Sequence, residues 1–341
     1  MVIGGTVMDI TSTFSVESGV DIVAPPSFLY TSCAGVVRQS LGGVGRNVAE
    51  AAYRAGSDTL MVSAVGDDLA SNMIMEGLAE IGMRVDGIRK YGGESTAIYN
   101  ALHSPDGQLI SAVADMNVFK RIETEQVVEA IHTHTPSLIC CDGNIESHVL
   151  RDTAVIAKGL DIPVHFEPTS IPKSLKIFHD PATVLAGSIK SISPNQHELV
   201  AMSEAARKIL PSVENTLFQN QLSEYETDDL PEIARKCLPY AIHLSNFFNV
   251  IVTKLGQHGC LIVGREDGTQ VIRYFQAHAI KPEHIKSVTG AGDSFVGVLL
   301  ANVNKHLNCL NSLKDSKWDS IVHQSQIAAI RTLQSHNAVG A

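Results

Sequence analysis

The sequence has few aromatic residues, few charges for its length and no long apolar run. Aromatic side chains make up 5% of its 341 residues and charged side chains 18%, whereas hydrophobic residues make up 44%. This balance excludes a disordered chain and predicts a globular protein that buries a large core. No apolar stretch approaches the roughly 20 residues that span a bilayer, so we expect no membrane segment.

Positive charge is scarce as well. Lys and Arg together number 26 against 36 Asp and Glu, which gives a formal net charge of −10 and a pI near 5.7. Binding to a nucleic acid polymer depends on clustered Lys and Arg, and the sequence contains no such cluster. We therefore expect any nucleotide ligand to be a small molecule.

Neither the cysteines nor the histidines have the spacing of a structural framework. The six cysteines are irregularly spaced, and Cys140 and Cys141 end an apolar run, so we expect reduced, buried thiols in a cytosol-like compartment. His132 and His134 have no nearby Cys or carboxylate pair to complete a zinc site. No signal segment is recognisable, and we expect a cytoplasmic protein. The apolar start at Met1 leaves room for an organellar leader or a fused domain ahead of it.

Short β-branched runs alternate with segments of helical period along most of the chain. The alternation predicts an α/β fold in which a doubly wound, mostly parallel sheet has helices on both faces. The predicted core strands are residues 2–3, 59–64, 137–141, 163–166, 191–193 and 250–253. The predicted helix 45–56 has an apolar stripe and ends at Gly56.

Two regions interrupt the alternation, residues 13–41 and 95–115. The second contains Pro105-Asp106-Gly107, which is typical of a hairpin turn. We expect both regions to form one small β lid over the edge of the main sheet, within a single domain that spans residues 1–341. The acidic stretch 211–231 predicts a solvated surface loop. Because subunits commonly pair along exposed sheet edges, a homodimer through the lid is a further expectation.

The segment Val288-Thr-Gly-Ala-Gly-Asp293 is the most informative for function, because small residues open an apolar helix there. The backbone N–H groups of such a turn, from Gly290 through Ala291 and Gly292 to Asp293, form an anion hole at a helix N-terminus. Asp293 is then placed to accept the proton of a hydroxyl that attacks a γ-phosphoryl group. These residues alone are equally consistent with Asp293 as the N-cap of the helix.

Two further segments suit a bound nucleotide. Asn195 and Glu198, three residues apart after a strand, could position Mg²⁺ through water, although the pair alone is more typical of a helix capping box. Lys254, Gly256 and Gly259 form a turn that could lie along a base and ribose, although a simple hairpin explains it better. No Gly-x-x-x-x-Gly-Lys-[Ser/Thr] motif occurs, which excludes the Walker-type kinases.

Candidate residues for a polyol ligand lie near the N-terminus. Gly42 and Gly43 allow a ligand to approach the backbone closely, and Asn47 offers both a donor and an acceptor. Asp9, after the first strand, is a matching carboxylate for a diol. An Asn beside glycines is also ordinary turn chemistry.

Taken in order along nearly the whole chain, these motifs resemble the ribokinase-like, phosphofructokinase-B type family of carbohydrate kinases. The resemblance implies a Rossmann-like α/β fold with a β lid, ATP as phosphoryl donor with Mg²⁺, and Asp293 as the base that deprotonates a primary hydroxyl. Many members also bind a K⁺-type monovalent cation near the anion hole. The usual Asp-Thr before Gly-Ala-Gly-Asp is here Val288-Thr289, which places that feature in question.

The family pattern also locates two departures and one more contact. Glu167 stands where an Asp is common, and Lys254 stands where a Thr or Ser is usual, so contacts to the nucleotide in that turn are expected to differ. The segment 335–339, including Asn337, lies where family members close the adenine pocket.

Within the family, four segments are most similar to the pseudouridine kinases, and they are Gly42-Gly-Val-Gly-Arg-Asn47, Asp115-Met-Asn117, Asp142-Gly-Asn144 and Val288-Thr-Gly-Ala-Gly-Asp293. The resemblance implies that Asp9, Gly43, Asn47 and Asn144 hold ribose hydroxyls. Asp115 or Asn117 would face the uracil, whose C-linkage leaves an additional ring N–H for such a group to accept. A solvated strand end remains the alternative for these two residues.

Alternatives and partners follow from the same resemblance. A ribokinase or another nucleoside or sugar kinase would share the motifs at the phosphate end. A catalytically silent nucleotide-binding relative is disfavoured, because Asp293 and the Gly-Ala-Gly turn are intact. A pseudouridine 5′-phosphate glycosidase, which splits the phosphorylated product, would be a natural functional partner and is sometimes fused to such a kinase.

Overall fold

The structure is a computed structural model that describes residues 1–15, 30, 32–210 and 230–340. The strands within these ranges are numbered along the chain as β1 Val2–Ile3, β2 Val7–Phe14, β3 Gly35–Gly42, β4 Met61–Gly66, β5 Ile88–Tyr91, β6 Ile98–His103, β7 Leu109–Asp115, β8 Ile139–Asp142, β9 Val164–Glu167, β10 Ile189–Ile192, β11 Val250–Lys254, β12 Cys260–Glu266 and β13 Thr269–Phe275. The helices are α1 Val44–Arg54, α2 Leu69–Glu80, α3 Thr124–His134, α4 Ser147–Gly159, α5 Ile171–Ser174, α6 Pro181–Leu185, α7 Gln196–Ile209, α8 Glu232–Leu244, α9 Ala291–Lys305 and α10 Lys317–Leu333.

The main sheet has nine strands in the order β13-β12-β11-β10-β9-β8-β1-β4-β5. Neighbours from β11 through β5 are parallel, and β12 and β13 form an antiparallel edge. The predicted α/β class and mostly parallel sheet are confirmed. Each of the six predicted core strands is present with bounds within two residues of the prediction, whereas β5 and the β12–β13 hairpin were not predicted.

Helices cover both faces of the main sheet, because its buried strands are apolar on both sides. In β1, Val2 belongs to a core formed with α1, α2, α9 and α10, and Ile3 to a core formed with α3, α4, α7 and α8. The predicted helix 45–56 is α1, and Gly56 follows it with a positive φ of 87°. No helix within the described ranges is both long and apolar enough to cross a bilayer.

A second sheet of four strands, in the order β3-β2-β6-β7, forms the lid. The expected lid is thus confirmed as a separate small sheet, but it begins at Val7 rather than at residue 13. Asp9 is therefore a residue of the lid strand β2, and it does not simply follow β1. β6 and β7 form the predicted hairpin, with Gly107 in its turn at a φ of 85°. Residues 16–29 and 31 of the first lid region, and 211–229 of the predicted loop, lie outside the described residues.

Candidate active site

The anion hole lies at the start of α9. Gly290, the residue before the helix, has a φ of 77°, and a β carbon there would lie 1.9 Å from the carbonyl oxygen of Ala338. Only glycine fits this position without strain. Since α9 begins at Ala291, the N–H groups from Ala291 to Asp293 have no acceptor within the helix and point to where an anion would bind.

Asp293 is the third residue of α9 and does not cap it. The N-cap position is Gly290, and no side chain donates or accepts a capping hydrogen bond there, so the capping alternative is wrong. Its carboxylate accepts a hydrogen bond from Nδ2 of Asn47 at 2.7 Å. Burial raises the pKa of Asp293 to about 6 and the charge of Glu167 adds to the rise, while Asn47 and Lys254 oppose it. A carboxylate that titrates this close to neutral pH is suited to accept a proton.

The acceptor end of the site, defined here as Asp9, Arg46, Asn47 and Glu50, lies on the lid side of Asp293. The Arg46 guanidinium donates to Glu50 and to Oδ1 of Asn47, and its side chain is 4% exposed. Because Arg46 holds the amide oxygen of Asn47, the amide nitrogen is turned towards Asp293. A buried cation thus orients the group that donates to the candidate base.

Asp9 packs against Gly42, the last residue of β3, just before α1 begins. A β carbon on Gly42 would lie 2.0 Å from Oδ2 of Asp9. Gly43 has a φ of 94°, and its β carbon would lie 2.5 Å from the carbonyl oxygen of Gly5. Burial raises the pKa of Asp9 to about 6, and the charge of Arg46 opposes the rise. The glycines therefore let the lid strand approach α1 closely enough to place Asp9 beside Arg46.

Asn144 lies in the turn after β8, next to Asp142. Asp142 is fully buried, and its Oδ2 accepts the N–H groups of Gly5 at 2.9 Å and Gly45 at 2.8 Å. Asn144 donates to Asp142 at 2.8 Å and accepts from Nζ of Lys173 at 2.6 Å. A ribose contact from Asn144 would use the amide proton and the lone pair that remain. Asp142 therefore links the segments that contain Gly5, Gly45 and Asn144.

Asp115 and Asn117 lie at the exposed end of β7. Oδ1 of Asp115 accepts from the backbone and the side-chain amide of Asn117, at 3.2 and 2.9 Å. Asp9 pairs with Tyr99 in β6, whereas Asp115 pairs with Ile98. Residues paired across strands share a face of the sheet, so Asp115 belongs to the lid face opposite Asp9. The structure does not bring these two residues together with the rest of the site, and their contact with a base stays a prediction.

Asn195 and Glu198 form the capping box at the start of α7. Oδ1 of Asn195 accepts the N–H groups of His197 and Glu198, and Glu198 accepts the backbone N–H of Asn195 at 2.8 Å. The box leaves Oε1 of Glu198 and the amide nitrogen of Asn195 for other contacts. Among the described residues, no three His, Cys, Asp or Glu side chains are grouped to hold a metal directly. Any metal here is therefore expected to keep most of its water ligands.

The two sequence departures, Glu167 and Lys254, bind each other. Nζ of Lys254 lies 2.8 Å from both carboxylate oxygens of Glu167, although 87 residues separate them. A β carbon on Gly292 would lie 3.9 Å from Nζ, so the ammonium adjoins the anion hole. Burial alone would lower the pKa of Lys254, but Glu167 and Glu198 raise it above its ordinary value. We call Glu167, Lys254 and Glu198 the donor end of the site.

A mostly apolar cavity of about 460 Å³ extends from the donor end between β12 and α10. Its walls include Gly256 and Gly259, the anion hole residue Gly292, and Ile330 and Leu333 of α10. The hairpin alternative for this turn is confirmed, because β11 and β12 pair as an antiparallel hairpin around it. The hairpin and the cavity are compatible, since the turn itself forms one wall.

The segment 335–339 passes beside the anion hole. Ala338 and Val339 are buried, and Ala338 contacts the turn at Gly290. Asn337 is exposed, and its backbone N–H donates to Oγ of Ser335 at 2.9 Å. The segment therefore supports the anion hole, while an adenine contact from Asn337 stays a prediction.

Sequence reasoning missed three residues of this site. Arg46 and Asp142 were visible only as members of quoted motifs, and Glu167 only as an unusual Glu before Pro168. A buried Arg beside the motif Asn and a buried Asp at the end of an apolar strand are signals that indicate partners, because buried charges are rarely left unpaired.

Comparison with known protein families matches most of the chain to a family of carbohydrate kinases. The family model described as pfkB family carbohydrate kinase matches residues 30–318.

The proteins that are similar over most of the chain include two that are named for pseudouridine. A pseudouridine kinase of Arabidopsis thaliana is 25% identical over 334 residues, covering 86% of this chain and 85% of that protein. A pseudouridine-metabolizing bifunctional protein of Schizosaccharomyces pombe is 26% identical over 341 residues. That match covers 92% of this chain but 43% of the bifunctional protein, so the chain spans less than half of it.

Solved structures share the fold at lower identity. The ribokinase of Cryptococcus neoformans in complex with ADP matches with a TM-score of 0.72 at 20% identity, covering 100% of this chain and 96% of that one. The ribokinase of Arabidopsis thaliana with ribose and ATP matches with a TM-score of 0.69 at 17% identity, covering 99% and 93%. At these identities the likeness establishes a ribokinase-like fold.

Proposed function

Because the chain belongs to the pfkB family of carbohydrate kinases, we propose that it transfers the γ-phosphoryl group of ATP to the 5′-hydroxyl of pseudouridine. The observation that carries the proposal is Asp293, a carboxylate with a pKa raised to about 6 at the mouth of an anion hole. It lies where the acceptor end and the donor end meet. A catalytically silent relative would not need this arrangement.

The transfer is an in-line displacement in which Asp293 is the general base. Asp293 takes the proton as the O5′–H bond breaks, and the oxygen forms a bond to the γ-phosphorus. The bond between that phosphorus and ADP breaks, and ADP keeps the electron pair. The N–H groups of Ala291, Gly292 and Asp293 stabilise the charge on the transferring group, which is the main task of a phosphoryl-transfer site.

The acceptor is proposed to be held by hydroxyl contacts at the acceptor end. Asp9 and Asn47 would bind the ribose diol, with Gly42 and Gly43 leaving room for its approach and Asn144 completing the contacts. The specific choice of pseudouridine is supported by the two similar proteins that act on it and by the motifs shared with them. A uracil contact from Asp115 or Asn117 belongs to the same proposal.

The donor is proposed to be ATP, with its base in the apolar cavity and Asn337 beside it. Gly256 and Gly259 allow the base and ribose to lie against the β11–β12 turn. Mg²⁺ would be held through water by Glu198 and Asn195, and it would neutralise charge on the phosphates. The residues fit this ion, because two buried Glu carboxylates face a single Lys at the donor end.

A K⁺-type monovalent cation near the anion hole stays a family expectation. The residue in place of the usual Asp is Val288, whose side chain is 74% exposed and offers no charge. The dependence of the reaction rate on K⁺ is therefore expected to be weak. Replacement of K⁺ by tetramethylammonium in the assay would test it, and a large loss of rate would contradict the expectation.

One alternative function is favoured by a specific observation. Asp115 lies on the lid face opposite Asp9, so the contacts closest to Asp293 are those that any ribose would make. A ribokinase or a nucleoside kinase of broader specificity would use the same acceptor end. Assays on several acceptors separate these readings.

Two associations remain proposals as well. The fission yeast relative is bifunctional, which supports a functional link or fusion to a pseudouridine 5′-phosphate glycosidase. The outer lid strand β3 presents Val36 and Val37 at 54% and 65% exposure, which supports a dimer through the lid. Light scattering at working concentration tests the dimer, and a monomer would refute it.

The decisive experiment measures phosphate transfer from Mg-ATP to pseudouridine, uridine, adenosine and ribose in separate assays. Wild type is compared with Asp293→Asn and with Asp319→Asn as a matched control. Asp319 is also the third residue of its helix, α10, but is 63% exposed and remote from the site. We expect pseudouridine to be the best acceptor and Asp293→Asn to lose about 10³-fold or more in kcat, with the control unchanged.

Each other outcome has a definite meaning. If ribose or adenosine is phosphorylated and pseudouridine is not, the pseudouridine proposal is wrong and the kinase reading stands. If Asp293→Asn is as active as Asp319→Asn, Asp293 is not the base.

A further inference from the structure

Lys254 stands at the end of β11 with its side chain directed at the anion hole. Its Nζ would lie 3.9 Å from a β carbon on Gly292, and the charge of Asp293 acts on it. Both neighbours are in the first turn of α9, where the transferring phosphoryl group would be held. The ammonium is thus at the reacting end of the nucleotide site and not along its base and ribose.

The ammonium still has bonding capacity for a ligand. A protonated lysine has three N–H donors, and within the described ranges two of them are accounted for by the carboxylate oxygens of Glu167, each at 2.8 Å. The Lys254 side chain is 17% exposed, against 3% for Glu167. One N–H donor of Lys254 therefore faces the cleft, while Glu167, which holds the lysine, is buried.

Glu167 is itself held by a buried hydrogen-bond chain of Ser191, His165 and Ser193. Oγ of Ser193 donates its only proton to Glu167, so it must accept from Nε2 of His165, which lies 2.7 Å away. Nδ1 of His165 then accepts from Oγ of Ser191 at 2.8 Å. Burial lowers the pKa of His165 to about 3, so the imidazole is neutral and this direction of donors is fixed.

This geometry accounts for both sequence departures together. A Glu is one methylene longer than the usual Asp, and a Lys reaches further than a Thr or Ser. Because each is bound by the other, neither departure is an isolated substitution. The buried Glu167 holds the ammonium of Lys254 beside the anion hole.

We propose that Lys254 is a further catalytic residue, which donates a hydrogen bond to a non-bridging oxygen of the phosphoryl group during transfer, and that Glu167 is its positioning residue. The inference rests on the proposed kinase function. Lys254 keeps its proton throughout, while the acceptor proton goes to Asp293. Charge on the transferring group is stabilised most at the transition state, so the contact is expected to raise kcat more than it lowers KM.

The test compares Lys254→Met and the double variant Lys254→Met with Glu167→Gln, which avoids an unpaired buried carboxylate. Lys236→Met is the control, since Lys236 pairs with Glu232 in a salt bridge exposed to solvent. We expect both Lys254 variants to lose about 10²-fold in kcat, with KM for ATP within about threefold of wild type. Glu167→Gln alone should lose less, because the lysine is present but less well held.

A binding measurement separates a catalytic role from a structural one. ADP with aluminium fluoride and the acceptor mimics the transferring phosphoryl group, and calorimetry gives its affinity with and without the fluoride. We expect ADP alone to bind wild type and the double variant alike, and the tightening by aluminium fluoride to be largely lost in the variant.

The possible failures are distinguishable. A wild type that phosphorylates no acceptor would refute the proposed function, and this role with it. An active wild type whose Lys254 variants keep kcat but show raised KM and weaker ADP binding would refute the catalytic role alone and assign Lys254 to ground-state binding. Unchanged tightening by aluminium fluoride in the double variant would refute it as well.

Discussion

The two ends of the site each hold one cation among carboxylates, but the two cations differ in their access to a ligand. The Arg46 side chain is 4% exposed, and its hydrogen bonds are directed at protein groups, including Glu50 and Asn47. The Lys254 side chain is 17% exposed and adjoins the anion hole. A sealed cation cannot contact a ligand and acts through its charge and through the residue that it orients, whereas a cation that faces the cleft can contact the ligand itself.

Both ends of the site act on the carboxylate of Asp293. At the acceptor end, the effect of Arg46 passes through Asn47, which donates to the carboxylate. At the donor end, Lys254 acts on the same carboxylate by its charge alone. Asn47 and Lys254 both lower the pKa of Asp293, which burial raises, so residues at both ends of the site influence the base.

After Asp293→Asn, the largest effect on activity is expected from Gly290→Ala, which would disrupt the anion hole that Lys254 adjoins. The added β carbon would meet the carbonyl of Ala338 at 1.9 Å and would also be strained at a φ of 77°. The anion hole should lose its shape, and we expect kcat to fall by about 10² to 10³-fold, as for the loss of oxyanion donors elsewhere.

Gly268→Ala is the matched control for that substitution. Gly268 has the same φ of 77°, but nothing lies within 4 Å of the added carbon. It carries the backbone strain without the steric clash, so its activity should stay near that of wild type. Equal losses in the two variants would mean that strain, and not the anion hole, explains the result.

The next effect is on stability, and it tests whether Arg46 is sealed. Arg46→Met leaves the buried Glu50 without one of its two arginine partners and frees the amide of Asn47. We expect the free energy of unfolding to fall by about 3 kcal/mol, because a buried carboxylate loses a buried partner.

Urea denaturation of Arg54→Met provides the comparison. Arg54 binds the same Glu50, but its side chain is 37% exposed, so its loss should cost less than about 1 kcal/mol. Similar losses in the two variants would contradict the distinction between the sealed cation and the exposed one.

The smallest expected effect is a shift in the pH dependence of kcat/KM, which reports the titration of Asp293 in the free enzyme. A base must be ionised, so a pKa near 6 predicts a rate that falls below about pH 6. The hydrogen bond from Asn47 lowers that pKa, so Asn47→Ala should move the acid limb to higher pH by about half a unit to one unit.

Asn249→Ala is the control, since Asn249 hydrogen-bonds to Asn311 outside the site. Its acid limb should coincide with that of wild type. Asp9 also has a pKa raised to about 6, but it makes no hydrogen bond to Asn47, so an unmoved limb in Asn47→Ala would assign the titration to Asp9 instead.

The sequence was informative where one residue or one local run determines the outcome. The core strands could be predicted to within two residues, because apolar runs such as 250–253 are buried whatever their neighbours are. The turn before α9 could be predicted because its glycines and its helix are contiguous. The capping alternative for Asp293 was wrong, because α9 begins three residues earlier than that alternative requires, with Gly290 as its N-cap. Asp9 follows β1 as predicted, but it lies within the next strand, β2.

The sequence could not predict contacts that depend on the register of distant strands. Lys254 and Glu167 meet because β11 and β9 flank β10 in the main sheet, which places the ends of the two strands at one edge. Asp115 and Asp9 fall on opposite faces of the lid because of the pairing of β6 with β7. Neither register is encoded in a motif, so the contact between Glu167 and Lys254 and the faces of the lid residues had to be read from the fold.

A competition assay tests whether the enzyme prefers pseudouridine as its acceptor. Wild type is given Mg-ATP with equal concentrations of pseudouridine, uridine and ribose, and the initial product ratios give the ratios of kcat/KM. We expect pseudouridine 5′-phosphate to form more than about tenfold faster than either other product, since a site that bonds the additional ring N–H of pseudouridine rejects uridine and ribose, which lack it. Preferred formation of ribose 5-phosphate or uridine 5′-phosphate would contradict the proposed preference for pseudouridine.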